Sequence, residues 1–349
     1  MPFPIFYRYM MREISALFLA ITMILLTIII SFRFSSLLSR ALDGSVSLAA
    51  IGQLLIFQTA NIVVILLPVA FILASVMTLS RLYGDCEINA LFAGGCSKKH
   101  LMQPILYLVL PLAVILVINT LYLLPHVFER WDQLMAQSRQ EALYSFFTPN
   151  QFQHLNAHNT LYTGDKINNG FQPFIIIQND NNEYSMLWSK RGEIQKNQPE
   201  HFLHLTQGNR AAWRDDFQPQ NCLFSQFAHG SLHLSQSPPS AQQRLRSIAT
   251  GALNQSLAHR AEFQKRLNPA LAVVIFSFAV PLLAHTRPRQ GRYQRLLPAF
   301  ILFGIYINLL DIALKMFSRG QIPFLIGGWG IHFAAAFIIA IYWQRARKP

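Results

Sequence analysis

The segment Leu66–Lys99 reads LLPVAFILASVMTLSRLYGDCEINALFAGGCSKK and joins two structural signals. Its first part, up to Leu79, is mostly apolar and is typical of the end of a membrane-spanning helix. Arg81 then marks the water interface, since an arginine is costly in the hydrocarbon layer. A shorter helical pattern follows over residues 85–93, and Gly94-Gly95 ends it. The segment therefore indicates a membrane protein with a short helix held between two spans.

The predicted short helix has a polar start and one apolar face. Asp85 is a suitable N-cap, and Glu87 lies in the first turn, where the helix dipole favours a carboxylate. The spacing i, i+3, i+4 places three apolar side chains on one face: Ile88, Leu91 and Phe92. Two interpretations stay open at this point. Either the helix lies on lipid headgroups, or it is a docking surface for a cytoplasmic partner.

The composition is that of a membrane protein. Of 349 residues, 52% are hydrophobic and 13% are charged, against about 25% charged in a typical soluble domain. The net charge of +13 could indicate nucleic-acid binding, but the long apolar runs require a bilayer, so no nucleic-acid partner is expected. Cys86, Cys96 and Cys222 have neither metal-site nor disulfide spacing.

Six runs are long and apolar enough to cross a bilayer. Three precede a long polar segment and three follow it. The first run has no signal-peptide cleavage pattern and is expected to remain as a span. The six predicted spans are Ile14–Phe32, Leu54–Leu79, Leu101–Leu124, Leu267–Ala284, Leu296–Phe317 and Phe324–Trp343.

Lysines and arginines in the short loops predict the orientation. With a cytoplasmic N-terminus, the inner segments hold twelve: Arg8, Arg12, Arg81, Lys98, Lys99, Arg287, Arg289, Arg292, Arg295, Arg345, Arg347 and Lys348. The outer loops hold four: Arg33, Arg40, Lys315 and Arg319. Both termini are therefore predicted to be cytoplasmic, and residues 126–266 to be periplasmic.

The long polar segment, residues 128–266, is predicted to be a separate β domain between two transmembrane halves, residues 1–127 and 267–349. A helix over Phe128–Tyr144 extends the third span, and a polar helix over Ala241–Arg266 leads back to the membrane. Many short strands separated by turns indicate a sandwich or jelly roll. The predicted strands are Gln151–Leu155, Leu161–Lys166, Phe174–Gln178, Ser185–Ser189, Phe202–Leu205 and Leu223–Phe227.

No pattern in the chain indicates catalysis. The sequence lacks a phosphate-binding G-x-x-x-x-G-K-[ST], a zinc-binding H-E-x-x-H and a nucleophile-elbow G-x-S-x-G. His201 and His204 have a spacing found in metal sites, but on a strand this spacing places them on opposite faces. We therefore expect no catalytic residues, no cofactor and no metal.

The run Met77–Ser97, with Leu82-Tyr83, Glu87-Ile88 and Gly95-Cys96-Ser97 in order, resembles the second cytoplasmic segment of the LptF/LptG permease family. The resemblance extends over nearly the whole chain. It implies six transmembrane α-helices, three on either side of an inserted periplasmic β-jelly-roll-like domain. Further matching motifs are Thr148–Phe152, Leu205–Gly208, Arg260–Glu262, Pro281-Leu282, Pro288–Arg292 and Leu297–Ala299; of these, the P-R-Q-G-R run favours the F-type over the G-type subunit.

The resemblance implies a permease subunit of the ABC transporter that extracts lipopolysaccharide from the outer leaflet of the inner membrane and passes it to a periplasmic bridge. The chain would not be an enzyme, since a separate cytoplasmic ATPase homodimer would hydrolyse ATP. Other implied partners are a paralogous G-type permease, a single-span periplasmic jelly-roll accessory protein and the bridge protein. Glu87 matches the family glutamate that docks in the ATPase. The implied coupling residues are Asp85, Glu87, Ile88, Leu91 and Phe92.

The family also lines a lipid cavity with basic residues, and Arg33 and Lys315 match these in place. Ser36 stands where some members carry a second basic residue, for which Arg40 is a candidate substitute. Asp311 is four residues before Lys315 and could pair with it. The implied lipid-binding set is Arg33, Arg40, Ile307, Asp311, Lys315 and Arg319. The alternative is that these basic side chains only reach for headgroups.

The apolar walls of this cavity would come from the first and fifth spans, although a surface that faces lipid has the same composition. The expected wall residues are Leu26, Ile30, Phe34, Phe300, Phe303, Ile307 and Leu310. The sequence also leaves two other functions open. A membrane-anchored periplasmic sensor would need a cytoplasmic output domain, and only six residues follow Trp343. The other is a permease or scaffold for another lipid or for lipoproteins. Such permeases place their exported domain among four spans, whereas here it lies between three spans and three.

Overall fold

The computed structural model describes residues 4–42, 46–146, 150–156, 159–167, 170–180, 183–194, 202–214, 222–233, 241–285, 294–323 and 326–345. Contacts divide the chain into two compact units. One, the helical unit, comprises Met1–Phe34, Gln53–Gln133 and Ser240–Pro349. The other, the sheet unit, comprises Ser35–Gly52 and Leu134–Pro239. The predicted periplasmic domain, residues 128–266, extends beyond the sheet unit at both ends.

Ten α-helices are defined in the described residues. They are α1 (Pro4–Leu42), α2 (Ile51–Gly84), α3 (Glu87–Ala93), α4 (Lys98–Ile118), α5 (Leu124–Phe146), α6 (Ala241–Ser247), α7 (Leu257–Ser277), α8 (Val280–Leu283), α9 (Leu296–Ser318) and α10 (Gly328–Arg345). A π-helical turn, Asn119–Leu123, joins α4 to α5, and 3₁₀ turns lie at Leu48–Ala50 and Thr250–Ala252.

Four helical stretches of the described chain are long and apolar enough to span a membrane: Ile5–Leu42, Leu48–Gly84, Lys99–Met135 and Leu296–Ser318. They contain the predicted first, second, third and fifth spans. The predicted fourth span, Leu267–Ala284, is divided between α7 and α8 by a break after Ser277. The predicted sixth, Phe324–Trp343, begins outside the described residues, and α10 itself has 18 residues that include His332 and Arg345.

The core of the helical unit lies between α2, α4, α7 and α9. Helix α7 packs against α4 and α9, and α10 packs against α7 and α9. Phe71, Ile105, Val273 and Phe303 are among its buried side chains. Helix α1 differs, because only 6% of its most apolar window is buried.

The sheet unit contains one antiparallel sheet of six strands in sequential order. All six predicted strands are confirmed, each longer than predicted: β1 (Gln151–Asn156), β2 (Asn159–Ile167), β3 (Gly170–Asp180), β4 (Glu183–Ile194), β5 (Phe202–Arg214) and β6 (Leu223–His233). Every described strand pairs with its neighbours in the chain, so these strands form a meander. The Greek-key connections of a jelly roll are not found among them.

One face of the sheet carries a small apolar core made of Leu161, Phe171, Phe174, Ile176 and Leu205. Two glycines allow this core to close. A Cβ on Gly192 would come within 2.9 Å of the Phe174 ring, and one on Gly208 within 2.4 Å of the Phe227 ring. Both aromatic rings therefore lie directly over backbone.

The prediction of one polar helix over Ala241–Arg266 is wrong. Helix α6 ends at Ser247, a 3₁₀ turn follows, and α7 begins after Ser256, whose hydroxyl accepts a hydrogen bond from the backbone N–H of His259. The reason is local, since Gly251 and Asn254 are poor helix formers and Ser256 is a better N-cap than an interior residue.

Arg266 holds this broken segment together. Its side chain is 4% exposed and pairs with Glu262, with 3.5 Å between Nε and Oε1. It donates to the Thr250 hydroxyl at 2.7 Å. It also donates to three backbone carbonyls in the segment before α7, those of Leu245, Arg246 and Ile248. A buried guanidinium is tolerated because nearly all of its donors have acceptors.

Replacing Arg266 with methionine should lower the stability of the purified full-length chain by about 3–5 kcal/mol, because Glu262 would be left buried without its partner. Thermal unfolding in detergent measures this. Lys265→Met, at an exposed position on the same helix, is the control and should change stability by about 0.5 kcal/mol or less. Equal melting temperatures for the two variants would contradict the role given to Arg266.

Candidate functional site

Helix α3, the predicted docking helix, begins two residues later than expected. The α2 hydrogen bonds continue beyond Gly84, since the Asp85 N–H donates to the Arg81 carbonyl at 2.8 Å. The chain then turns at Cys86, which has a φ of 61° and precedes Glu87, the first residue of α3. The prediction of Asp85 as N-cap is therefore wrong. Its side chain instead lies 4.0 Å from Arg81, one turn earlier on α2.

The far end of α3 is closed by a Schellman motif. The Cys96 N–H donates to the Leu91 carbonyl and the Gly95 N–H donates to the Phe92 carbonyl, both at 3.0 Å. Gly95 has a φ of 87°, a left-handed conformation that glycine adopts without strain. Ser97 and His100 then form a capping box at the start of α4. Helix α3 is thus fixed between α2 and α4.

The apolar face of α3 packs on the protein itself. Ile88 is fully buried in the core of the helical unit, and the half-buried Phe92 packs against that core. Leu91 is also half-buried. Of the predicted coupling residues, Asp85 is exposed and Glu87 half-exposed. Ile88 therefore serves to hold the helix in place, and the carboxylates of Asp85 and Glu87 remain accessible to a partner.

Arg81 connects this region to α1. Its guanidinium lies 3.3 Å from the Glu13 carboxylate and donates to the Tyr9 hydroxyl at 3.0 Å. These side chains are partly exposed, so the ion pair contributes at most about 1 kcal/mol and mainly sets position. Tyr9 and Glu13 are not among the residues predicted from the sequence, although their i, i+4 spacing on α1 indicates that both face one side.

The same end of α2 also contacts the end of α8. The Ser80 hydroxyl donates to the Ala284 carbonyl at 3.2 Å, and the Tyr83 and His285 rings meet edge to face with centroids 5.1 Å apart. The basic loop that follows begins directly after this contact. Its residues Arg287, Arg289 and Arg292 lie outside the described residues, as do Arg347 and Lys348 at the C-terminus.

The predicted lipid-binding side chains are mostly exposed. Arg33 and Arg40 lie on the second half of α1, and Lys315 and Arg319 lie at the end of α9. Asp311 is exposed and does not form an ion pair with Lys315 in the described structure, so that expected pair is not found. Ile307 is half-buried. It lies on the same face of α9 as Asp311 and Lys315, since these follow it at i+4 and i+8.

The apolar wall expected for a lipid cavity divides into two groups. Phe303 and Leu310 are buried in the core, where Phe303 meets Phe276 edge to face at 5.0 Å, so their assignment to an open wall is wrong. Phe34 and Phe300 are about half exposed. The physical reason is that opposite faces of a membrane helix are equally apolar, and only packing separates core from lipid-facing side chains.

The sheet unit presents two edges in the described residues, β1 and β6. Both carry exposed apolar side chains, with Phe152 on β1 and Leu223 and Phe224 on β6. Of the two histidines considered for metal, His201 lies outside the described residues, and His204 lies opposite Ser231 on β6. Strand edges with exposed apolar groups are places where another strand can be added.

The chain combines helices that are long and apolar enough to span a membrane, a short capped helix between two of them, and an inserted antiparallel sheet domain. The family comparison assigns this combination to the class of membrane permeases. The family model described as "Lipopolysaccharide export system permease LptF/LptG" matches residues 8–345, which cover both compact units. The chain therefore belongs to the LptF/LptG permease family, as the motifs beginning at Met77 indicated.

Three relatives support this assignment. Each is named "Lipopolysaccharide export system permease protein LptF", and they come from Escherichia coli strain K12, Escherichia coli O157:H7 and Shigella flexneri. Each is 25% identical to this chain over 356 residues, which covers 97% of this chain and 95% of the relative.

Ile88→Ala should destabilise the purified chain by about 2–5 kcal/mol, because it opens a cavity under α3. Asn89→Ala, at the neighbouring exposed position, is the control and should have little effect. Thermal unfolding in detergent separates the two variants. An Ile88→Ala chain as stable as the wild type would mean that Ile88 is a contact residue for a partner and not part of the core.

Proposed function

We propose that this chain is the F-type permease subunit of the ABC transporter that exports lipopolysaccharide. The observation that carries the proposal is the family match over residues 8–345, supported by the similarity to relatives named LptF over 97% of the chain. The chain itself hydrolyses nothing. It acts with a paralogous G-type permease and a separate cytoplasmic ATPase homodimer, and it extracts lipopolysaccharide from the outer leaflet of the inner membrane.

In this proposal six spans cross the inner membrane, formed by α1, α2, α4 with α5, α7 with α8, α9 and α10. Both termini are cytoplasmic and residues 128–266 are periplasmic. The excess of lysine and arginine in the inner loops supports this orientation. The break between α7 and α8 does not exclude a span, because the Phe278 carbonyl that it frees receives a hydrogen bond from the Trp343 indole at 2.8 Å.

Helix α3 is the coupling helix, with Glu87 as its main contact to the ATPase. Its closed ends and buried Ile88 support this role, because a rigid helix transmits a displacement without bending. Arg81 extends the connection to α1 through Glu13 and Tyr9. A movement of α3 that also moves the end of α2 would therefore shift the start of α1. Arg33 lies further along the same helix.

Lipopolysaccharide would meet a basic rim on α1 and α9. Arg33 and Lys315 hold its phosphates by charge-assisted hydrogen bonds, and Arg40 and Arg319 extend the rim. Their exposure supports this role, as does the absence of an ion pair between Asp311 and Lys315 in the described structure. The sheet then passes the lipid to the accessory and bridge proteins by pairing along an edge strand.

Glu87→Ala should release the ATPase from the complex or abolish transport, with a loss of roughly 2–5 kcal/mol in docking free energy, because a buried charge pair would lose one partner. Co-purification of the ATPase and lipopolysaccharide release from vesicles measure the effect. Glu129→Ala, which removes an exposed carboxylate on α5, is the control. Normal co-purification together with full transport in Glu87→Ala would reject Glu87 as the contact.

A photo-crosslinking probe at Ile307 should form an adduct with lipopolysaccharide in cells, and the adduct should require ATP hydrolysis. Lys315→Gln should reduce the yield about fivefold, since one basic residue is removed from the rim. Arg12→Gln, an exposed arginine at the other end of α1, should leave the yield unchanged. Adducts with phospholipid or protein alone would remove lipopolysaccharide as the substrate and favour a permease for another lipid.

A further inference from the structure

The helical unit contains a groove of about 610 Å³ between α4, α7 and α10. Its volume lies within the range of about 300–1,000 Å³ of small-molecule pockets. The walls are mostly apolar and include Met102 and Leu106 on α4, Ile275 on α7, and Ile339 on α10. None of these helices carries the proposed lipopolysaccharide rim, which lies on α1 and α9.

The groove has one polar end. Lys99 and Gln103 on α4 lie there, and Trp343 and Gln344 on α10 close it. The described structure shows no hydrogen bond or ion pair for the exposed Lys99 ammonium. Lys99 is also in the first turn of α4, where the helix dipole adds positive potential. None of the described residues that line the groove is acidic. The polar end is therefore suited to an anion.

The length of the groove limits what can fill it. Along α10 the lining residues run from Ala336 to Gln344 at i, i+3, i+4, i+7 and i+8, a rise of about 12 Å. The hydrocarbon layer is about 30 Å thick, so the groove reaches no further than one leaflet. A transmembrane helix of another protein would need a groove that runs across the bilayer. An acyl chain that enters from one interface needs only this depth.

The groove is shaped by the break between α7 and α8. The break leaves the Phe278 carbonyl without a helical donor, and the Trp343 indole N–H donates to it at 2.8 Å. This bond holds α10 against the end of α7 and fixes the Trp343 ring at the polar end. Tryptophan is enriched at the membrane interface, where its ring is apolar and its N–H is polar. Ala336 and Ala340 leave space on α10 between these contacts.

We propose that this groove binds an anionic glycerophospholipid of the cytoplasmic leaflet. One acyl chain lies between α4 and α10, and the phosphate is held by Lys99. The assignment of the leaflet uses the orientation predicted from the lysine and arginine distribution. The lipid is a resident one that stays with the chain, in contrast to the exported lipid, which the proposed function places on α1 and α9.

Phosphatidylglycerol with a diazirine in its acyl chain tests this proposal. The full-length chain, with the subunits that co-purify with it, is placed in nanodiscs of phosphatidylethanolamine that contain the probe. After illumination, mass spectrometry maps the adducts. We expect adducts near Leu106 and Ala336, and a lower yield with the same diazirine on phosphatidylethanolamine.

Two variants and two matched controls make the test specific. Ala340→Phe should remove most of the adduct, because its ring fills the groove, and Lys99→Gln should reduce the yield about fivefold through loss of one basic contact. Ala334→Phe, at an exposed position on α10 outside the groove, and Arg12→Gln, an exposed arginine on α1, should leave the yield unchanged. Thermal unfolding checks that all four variants remain folded.

Three results would overturn the proposal. Adducts spread evenly over the membrane-facing helices, with no response to Ala340→Phe, would mean ordinary bilayer contact. Adducts on a co-purifying subunit, in place of adducts near Leu106 and Ala336, would mean that a protein covers the groove. An equal yield with the same diazirine on phosphatidylethanolamine would mean that the groove does not select an anionic headgroup. Failure of the lipopolysaccharide crosslink at Ile307 would affect only the proposed function, because the two sites share no residue.

Discussion

Backbone carbonyls that are freed where the helices break must find a donor, because the hydrocarbon of a bilayer provides none. In this chain the donors come from other helices and turns. Thr250 donates to the Leu121 carbonyl in the π-helical turn, Trp343 to Phe278, and Ser80 to Ala284. Each irregular point is thereby also a connection between distant parts of the chain, and the organisation of the helical unit depends on these connections.

The same requirement explains the buried polar groups between α7, α9 and α10. The Tyr306 hydroxyl lies 2.6 Å from His332 Nδ1, and His332 Nε2 lies 3.1 Å from Asn268 Oδ1. Two hydrogen bonds thus join three helices, and they fix a relative orientation of the helices that apolar packing alone would not fix. Because both ring nitrogens of His332 are engaged, rotation of any one of these helices would break a bond. These two bonds fix the orientation of α7, α9 and α10 relative to one another.

The sequence was sufficient for features that depend on local periodicity. The apolar runs predicted the long helices that contain four of the spans, and the alternating runs with their turns predicted all six strands. The sequence was not sufficient where the interacting residues are far apart in the chain. Arg266 lies in a sequence that is typical of an exposed polar helix. Only the structure shows that it is buried, because it donates to backbone carbonyls of the segment that ends at Ile248. Phe303 and Phe300 lie in the same apolar run, and the sequence does not show that Phe303 is buried in the core whereas Phe300 is exposed. The strands were found, but their pairing order, which distinguishes a meander from a jelly roll, requires the register.

Helix α1 is packed at its start and exposed along its middle. Met10 and Ile14 are fully buried, and Glu13 pairs with Arg81 beside α3. Further along, Met23, Ile28 and Phe32 are each more than half exposed. The packing of α1 within the helical unit is thus concentrated in its first turns, and Leu37 near the other end of the helix is buried as well. In the proposed function, a rotation at the end nearest the coupling helix would be carried along this helix of 39 residues to Arg33. Helix α1 would thereby join the proposed coupling residue to the proposed lipid site.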